Sequence, residues 1–288
     1  MSVHETGRPS VLCGLIGAGL QKSRTPRMHE QEGQAQGLRY VYKTIDLERL
    51  GLGVEALPDL LTAAERMGYC GLNITHPCKQ LVIPLLHELS EDARSLNAVN
   101  TVVLKDGRRI GHNTDCSGFA EGFRRGLPDV ERRRAVQLGA GGAGAAVAHA
   151  ALLLGVEKLA VHDIDPAKAQ SVADGLNARF GAGRAEACAD LKTAMAQADG
   201  LIHATPVGMA NHPGLPLPAE YLRPRQWVAE VVYFPLETEL LQVAKAKGCR
   251  TLNGGGMAVY QAVGAFQLFT GIAPDAERMT RHFASMGA

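Results

Sequence analysis

Val136-Gln137-Leu138-Gly139-Ala140-Gly141-Gly142-Ala143-Gly144 sets G-x-G-x-x-G directly behind an apolar strand and in front of the alanine-rich helical run at 145–154. Glycines at this spacing let the backbone turn tightly and approach a pyrophosphate, while the start of the helix offers N–H groups and a partial positive charge to it. The next strand, 159–162, ends at Asp163, 19 residues beyond Gly144, close to the spacing at which an acid accepts from ribose hydroxyls. The glycine run alone is weak evidence, because tight helix–strand packing also selects Gly and Ala; strand, glycines, helix, strand and acid together point to dinucleotide binding. Gly139, Ala140, Gly141, Gly142, Ala143 and Asp163 are therefore the expected cofactor contacts. A carboxylate at 163 repels a 2′-phosphate, so NAD is favoured over NADP. Its competing reading is a helix cap, but Asp165 ahead of Pro166 suits that role better, since proline fits the first helical position.

Outward from this stretch, strand and helix alternate to about residue 253: strands at 135–138, 159–161, 200–204, 227–232 and 250–252, with helices at 145–154, 167–179 and 239–247. The N-terminal part shows strands at 11–16, 40–45, 71–74, 98–104 and 109–113, with helices at 27–36, 57–67 and 117–125. Lys105-Asp106-Gly107 joins two of these strands by a tight reversal. Two final helices, 259–270 and 276–284, have no strand of their own and need another surface for their apolar faces. The expected fold class is α/β with two domains: an α/β substrate domain with a mixed sheet at 1–115, a Rossmann-type domain at 116–256, and C-terminal helices at 257–288 returning to the first domain.

Composition narrows the function classes. The 288 residues carry 30 Lys plus Arg against 29 Asp plus Glu, so a net charge of +1 gives no global field for nucleic acid or an anionic membrane. Arg132-Arg133-Arg134 precedes an apolar strand and is expected in a solvated turn. Six scattered cysteines form no C-x-x-C pair and no metal-ligand spacing, so reduced, mostly buried thiols and no metal are expected. The polar start MSVHETGRPS lacks an h-region and no apolar run is long enough to span a bilayer, which makes a cytoplasmic protein, monomer or homodimer, the expectation.

The chemistry lies upstream. Asn73-Ile74-Thr75-His76-Pro77-Cys78-Lys79 fixes a lysine just past a strand end and a proline turn. Asn97-Ala98-Val99-Asn100-Thr101 and His112-Asn113-Thr114-Asp115 set amides and a carboxylate at strand ends, where open α/β sheets bind ligands. Singly, each has a bland reading: Lys79 as a surface lysine, Asn100 as a turn residue, Asp115 as the N-cap of the helix at 117–125. His76 is read as structural or solvent-facing, and Cys78 as inert.

Taken in order, these segments resemble the shikimate dehydrogenase family from Gly14 to Phe269. Ser23-Arg24-Thr25-Pro26 is similar to its carboxylate site, Asn73 to Lys79 to N-[VI]-T-x-P-x-K, Ala98 to Thr101 to A-V-N-T, and Asn113 to Asp115 to N-T-D. The glycine cluster, Ala204-Thr205-Pro206-Val207-Gly208-Met209, Val231-Val232-Tyr233-Phe234-Pro235 and Gln261-Ala262 follow in family order. The resemblance implies Lys79 and Asp115 as the catalytic pair, with Ser23, Thr25, Thr75, Asn100, Tyr233 and Gln261 binding a small cyclic hydroxy acid. It further implies Thr205, Pro206, Val207, Met209, Val231 and Gly254 as cofactor contacts. The expected activity is hydride transfer between shikimate or quinate and NAD or NADP, with Lys79 as general acid/base and Asp115 orienting it.

His162-Asp163-Ile164 replaces the N-R-T of many NADP-using members, which looks like the NAD-using quinate/shikimate branch. His203 stands where Asn is common and Glu230 where Asp is common. An aminoshikimate-type or otherwise divergent member, a methylene-tetrahydrofolate dehydrogenase on the same plan, and a catalytically silent NAD-binding sensor are the alternatives; the Ser-x-Thr and N-T-D segments disfavour the second, and retention of both Lys79 and Asp115 the third.

Overall fold

Aromatic and β-branched residues at every second position, Tyr40, Tyr42 and Thr44, favour a strand at Arg39–Asp46 (β2); the apolar run of Ser10–Gly17 (β1) pairs with it in parallel, and Thr25–Ala35 (α1) is the crossover between them. The computed structural model describes residues 9–286; the polar N-terminal segment and the last two residues, for which expectations were given above, lie outside that range. The chain continues through Leu47–Leu50 (α2), Leu57–Arg66 (α3), Gly71–Ile74 (β3), Glu88–Leu89 (β4), Glu91–Leu96 (α4), Thr101–Lys105 (β5), Arg108–His112 (β6) and Thr114–Gly126 (α5). It then forms Arg134–Leu138 (β7), Gly142–Leu153 (α6), Lys158–His162 (β8), Pro166–Phe180 (α7), Ala185–Ala187 (β9), Leu191–Gln197 (α8) and Gly200–His203 (β10). Trp227–Glu230 (β11), Glu239–Ala246 (α9), Arg250–Leu252 (β12), Gly255–Thr270 (α10) and Ala276–Ser285 (α11) complete it.

Contacts divide the chain into one unit up to Thr114 together with residues from Ala262 onward, and a second from Asp115 to Gln261. The first unit carries a mixed six-stranded sheet ordered β2-β1-β3-β5-β6-β4, with β3-β5 and β5-β6 antiparallel. One face buries Leu57, Leu61, Leu72, Ile74 and Val102; the other buries Val11, Leu15, Tyr40, Phe266 and Phe269. Gly71 shows how closely that second face is packed: a Cβ there would lie 2.4 Å from the Phe269 ring. The chain end is clasped to α1 by buried Glu32, which accepts from Arg278 Nη2 and Nε at 2.7 and 2.8 Å and from the Asp275 N–H at 2.9 Å.

The second unit is a parallel sheet ordered β12-β11-β10-β7-β8-β9, the doubly wound arrangement with its order reversing beside β7. Val136, Leu138, Leu201, Val228, Leu240 and Leu241 form its core. The expected turn at 105–107 forms with Asp106 and Gly107 both at positive φ, and Asp165 caps α7 by accepting from the Ala167 N–H. Arg132 donates to the carbonyls of Leu154 and Pro128, so the basic run is a turn brace. The cysteines are free and buried or half-buried.

Several boundaries differ from expectation for identifiable reasons. The helix expected at 117–125 begins at Thr114, because the Asn100 side chain accepts the Thr114 N–H at 2.8 Å; Asp115 is thus inside the first turn and not its cap. The strand expected from 98 begins at 101, since the N–H groups of Ala98 and Val99 are taken by Ala93 and Lys79 carbonyls. Helix α10 starts at Gly255 and not 259: its glycines are poor helix formers, yet Gly256 lets the backbone approach Gly122 of α5 within the second unit. Short α2, β4, α4, β9 and α8 escape the periodicity reading because they run less than two or three turns or pairs.

Candidate active site

In the first unit the turn after β1 is anchored by buried Asp46 at the end of β2, which accepts from the Leu20 N–H at 2.8 Å, the Gly19 N–H at 3.3 Å and Gln21 Nε2 at 2.7 Å. Burial alone would raise this carboxyl, but the N–H groups of Leu20, Arg49, Gly19 and Glu48 hold it below its usual range. The anchored turn leads into half-buried Ser23 and Thr25, where Ser23 Oγ accepts the Thr25 N–H at 3.4 Å.

The segment after β3 is tied to the same edge. Thr75 N–H donates to the Ile16 carbonyl and Ala18 N–H to the His76 carbonyl, each at 2.9 Å, and Cys78 N–H closes a turn onto Thr75. His76 is exposed, and burial pushes the Cys78 thiol up. Half-buried Lys79 follows, its carbonyl accepting the Val99 N–H at 2.9 Å.

Beside it lies a closed polar network. Tyr42 Oη donates to Asn73 Oδ1 at 2.7 Å, and Asn73 Nδ2 donates to Thr101 Oγ1 and the Asn100 carbonyl. Thr101 Oγ1 donates to Asn100 Oδ1 at 2.9 Å; Asn100 Nδ2 reaches Thr114 Oγ1, also at 2.9 Å. Asn113 Nδ2 holds the Ala98 carbonyl. Buried amides and hydroxyls so completely partnered cannot rotate without breaking several bonds. The main chain of Lys79 is therefore one residue from Asn100, and Thr114, bonded to Asn100, is covalently followed by Asp115.

In the second unit the glycine turn sits at the carboxyl edge of the sheet. Gly139 has φ +98°, and a Cβ on it would lie 2.5 Å from the Ala204 carbonyl oxygen; one on Gly144 would lie 2.3 Å from the Gly139 carbonyl. Gly141 differs, since a Cβ there would meet no protein atom within 4 Å. That open approach, with an α6 N-terminus lacking both a side-chain cap and an acidic first turn, fits a pyrophosphate. Asp163 Oδ2 accepts the Ala140 N–H at 2.7 Å and Oδ1 the Asp165 N–H at 2.9 Å, placing the carboxylate against the glycine turn, with Ile164 fully exposed beside it.

Two further segments flank this edge. Ala204 N–H continues the ladder onto Leu138, and Thr205, Pro206, Val207 and Met209 follow, Met209 exposed. After β11, Val231 leads to exposed Tyr233; Gly254 allows close approach, because a Cβ on it would lie 2.3 Å from the Val231 carbonyl. Gln261 Nε2 donates to the Ala258 carbonyl within α10. Sequence reasoning passed over Tyr42, Thr238 and Gln137, whose Nε2 braces the carbonyls of Gly139 and Gly144 at 2.8 Å. A glutamine inside an apolar strand was the available signal for the last.

A mixed-sheet α/β unit with this polar network, joined in one chain to a Rossmann-type unit, defines the class of two-domain α/β oxidoreductases. Residues 15–102 match the model for the shikimate dehydrogenase substrate binding domain, and residues 254–282 that for the shikimate 5'-dehydrogenase C-terminal domain. The chain is 58% identical over 279 residues to a shikimate dehydrogenase (NADP(+)) of Streptomyces avermitilis, covering 96% of each. It is 51% identical to a quinate/shikimate dehydrogenase (NAD(+)) of Corynebacterium efficiens, covering 96% of this chain and 99% of the relative. Among solved structures, quinate dehydrogenase from Corynebacterium glutamicum in complex with NAD superposes with a TM-score of 0.91 at 49% identity, over 96% of this chain and 100% of that one. The chain belongs to the shikimate dehydrogenase family, oxidoreductases acting on CH–OH groups. Among the described residues no helix is long and apolar enough to cross a membrane, and no cluster of His, Cys, Asp or Glu could hold a metal ion.

Proposed function

We propose that the chain interconverts shikimate and 3-dehydroshikimate, accepts quinate as a second substrate, and works in the cytoplasm with NAD in preference to NADP. The observation that carries the chemical assignment is the buried network running from Tyr42 to Thr114, which locks Asn100 between the backbone of Lys79 and the residue preceding Asp115. A set of polar side chains locked in this way suits a ligand bearing several hydroxyls, each needing a fixed donor or acceptor.

In oxidation, Lys79 takes the proton of the substrate hydroxyl as its carbon gives up a hydride; in reduction Lys79 returns a proton to the carbonyl oxygen. The nicotinamide ring supplies the hydride acceptor or donor when the dinucleotide is bound. Asp115 orients Lys79 and accepts from a substrate hydroxyl, Ser23 and Thr25 hold the carboxylate, and Thr75, Asn100, Tyr233 and Gln261 address the remaining oxygens. Gly139 to Ala143 hold the pyrophosphate, Asp163 the adenosine ribose, and Thr205, Pro206, Val207, Met209, Val231 and Gly254 the remainder of the dinucleotide.

The NAD preference rests on Asp163, whose carboxylate is held against the glycine turn by the Ala140 N–H and would confront a 2′-phosphate there with like charge. The names of the relatives divide between the two cofactors, so the test is a kinetic matrix followed at 340 nm, with shikimate and quinate each against NAD and NADP. Turnover of shikimate with NAD is expected, with kcat/KM above that for NADP. Absence of hydride transfer in all four combinations would overturn the assignment.

A further inference from the structure

Beneath the cofactor edge of the second unit lies a buried ionisable pair to which the mechanism above gives no part. His203, the last residue of β10, and Glu230, the last residue of β11, stand opposite each other in the sheet register, and their side chains are fully buried. The Glu230 carboxylate receives His203 Nδ1 at 2.9 and 3.0 Å, the Val232 N–H at 2.9 Å and Thr238 Oγ1 at 3.1 Å. A carboxylate only accepts, so Nδ1 carries the proton. The far ring nitrogen, Nε2, is hydrogen bonded to Thr205 Oγ1, which also accepts the Val207 N–H at 3.3 Å.

One pair thus reaches two loops at once. Glu230 grips the start of the Val231–Tyr233 segment, and His203 grips the start of the Thr205–Met209 segment. Thr205 also meets the glycine turn: a Cβ on Gly139 would lie 3.0 Å from its Cγ2. Burying a histidine and a carboxylate costs desolvation that an apolar pair of the same volume avoids, and the compensation comes only from bonds this complete. What the polar pair provides and an apolar pair cannot is directional bonds to loop atoms.

We propose that His203 and Glu230 are positioning residues that fix the Thr205–Met209 and Val231–Tyr233 loops, through Thr205 Oγ1 and the Val232 N–H, in the form that binds the dinucleotide. The proposal rests on the dinucleotide reading of this unit. Neither residue touches the reacting atoms. Their effect is on cofactor affinity, with little on the proton transfer at Lys79.

The test is a double-mutant cycle on His203→Gln and Thr205→Val, read by NADH and NADPH titration of the whole chain and by amide hydrogen exchange of the ligand-free protein. Each single variant is expected to weaken dinucleotide binding about tenfold, with the double variant no weaker than His203→Gln alone, because both act along one connection. KM for the hydroxy acid is expected to stay within about twofold. In His203→Gln the amides of Val207 and Val232 are expected to exchange at least about tenfold faster, while Ala204, in the strand ladder, keeps its protection. Additive losses, or unchanged exchange at Val207 and Val232, would overturn the positioning role even if melting temperature falls. Wild-type protein that binds neither dinucleotide would overturn the cofactor reading, and the proposal with it.

Discussion

The two units hold their proposed ligand edges by opposite means. In the first, side chains fasten side chains: Tyr42, Asn73, Thr101, Asn100 and Thr114 form a network in which each polar group has a named partner. In the second, the glycine turn is shaped by missing side chains, with Gly139 and Gly144 tolerating no Cβ and Asp163 and Gln137 bracing main-chain groups. A hydroxy acid is distinguished by where its oxygens lie, which rigid side chains can encode. A pyrophosphate asks only for N–H groups and room, which bare backbone provides. Specificity in the first unit should therefore break at single side-chain atoms, and affinity in the second at single added carbons.

The largest effect is expected at Lys79. Lys79→Ala should lower kcat at least about a hundredfold, the low end for a general acid/base, while dinucleotide affinity measured by titration stays nearly unchanged. A change confined to KM for the hydroxy acid would make Lys79 a binding residue.

Gly139→Ala tests the bare-backbone side. Alanine there would be strained at the positive φ the turn requires and its methyl would meet the Ala204 oxygen, so dinucleotide KM should rise about fiftyfold, roughly 2–3 kcal/mol, with hydroxy-acid KM much less affected. Equal damage to both would show that the units do not divide the work as described.

The exception proposed for the second unit is Asp163, a side chain to which cofactor choice is assigned. Asp163→Ser with Ile164→Arg should reverse cofactor choice, weakening NAD and strengthening NADP by about tenfold each, as ribose hydrogen bonds are lost and a guanidinium meets the 2′-phosphate. Parallel shifts for both cofactors, seen in kcat/KM at fixed shikimate, would reduce Asp163 to a brace for Ala140. The smallest effect is expected for Tyr42→Phe, which leaves Asn73 Oδ1 without its donor: about 1 kcal/mol of stability and a two- to threefold rise in hydroxy-acid KM, with dinucleotide KM unaltered.

The α/β class, the alternation of elements and the glycine turn were legible because they depend on local pattern: an apolar strand, glycines at fixed spacing, a helix. What was not legible depends on partners distant in sequence. Nothing near Thr114 announces that Asn100 will begin its helix, and nothing near Tyr42 announces Asn73. Asp115 looked like a cap from its position before a helical run, and only the Asn100 bond shows that the run had already begun. His203 and Glu230 were visible as unusual residues, but their register across β10 and β11 and their connection to Thr205 exist only once the sheet is formed.

The clasp of Arg278 and Asp275 onto Glu32 bears on the order in which a ribosome could deliver a working fold. Burial raises the Glu32 carboxyl, but Arg278, the Asp275 N–H and Gln36 outweigh it and hold it below its usual value, so this contribution is present above the ordinary glutamate range and fades as acid protonates it. Phe266 and Phe269 complete the same face. The nascent N-terminal unit must wait, with the Tyr40 side of its sheet uncovered, until residues 115–261 and the chain end beyond them have emerged, whereas 115–261 can close while still tethered.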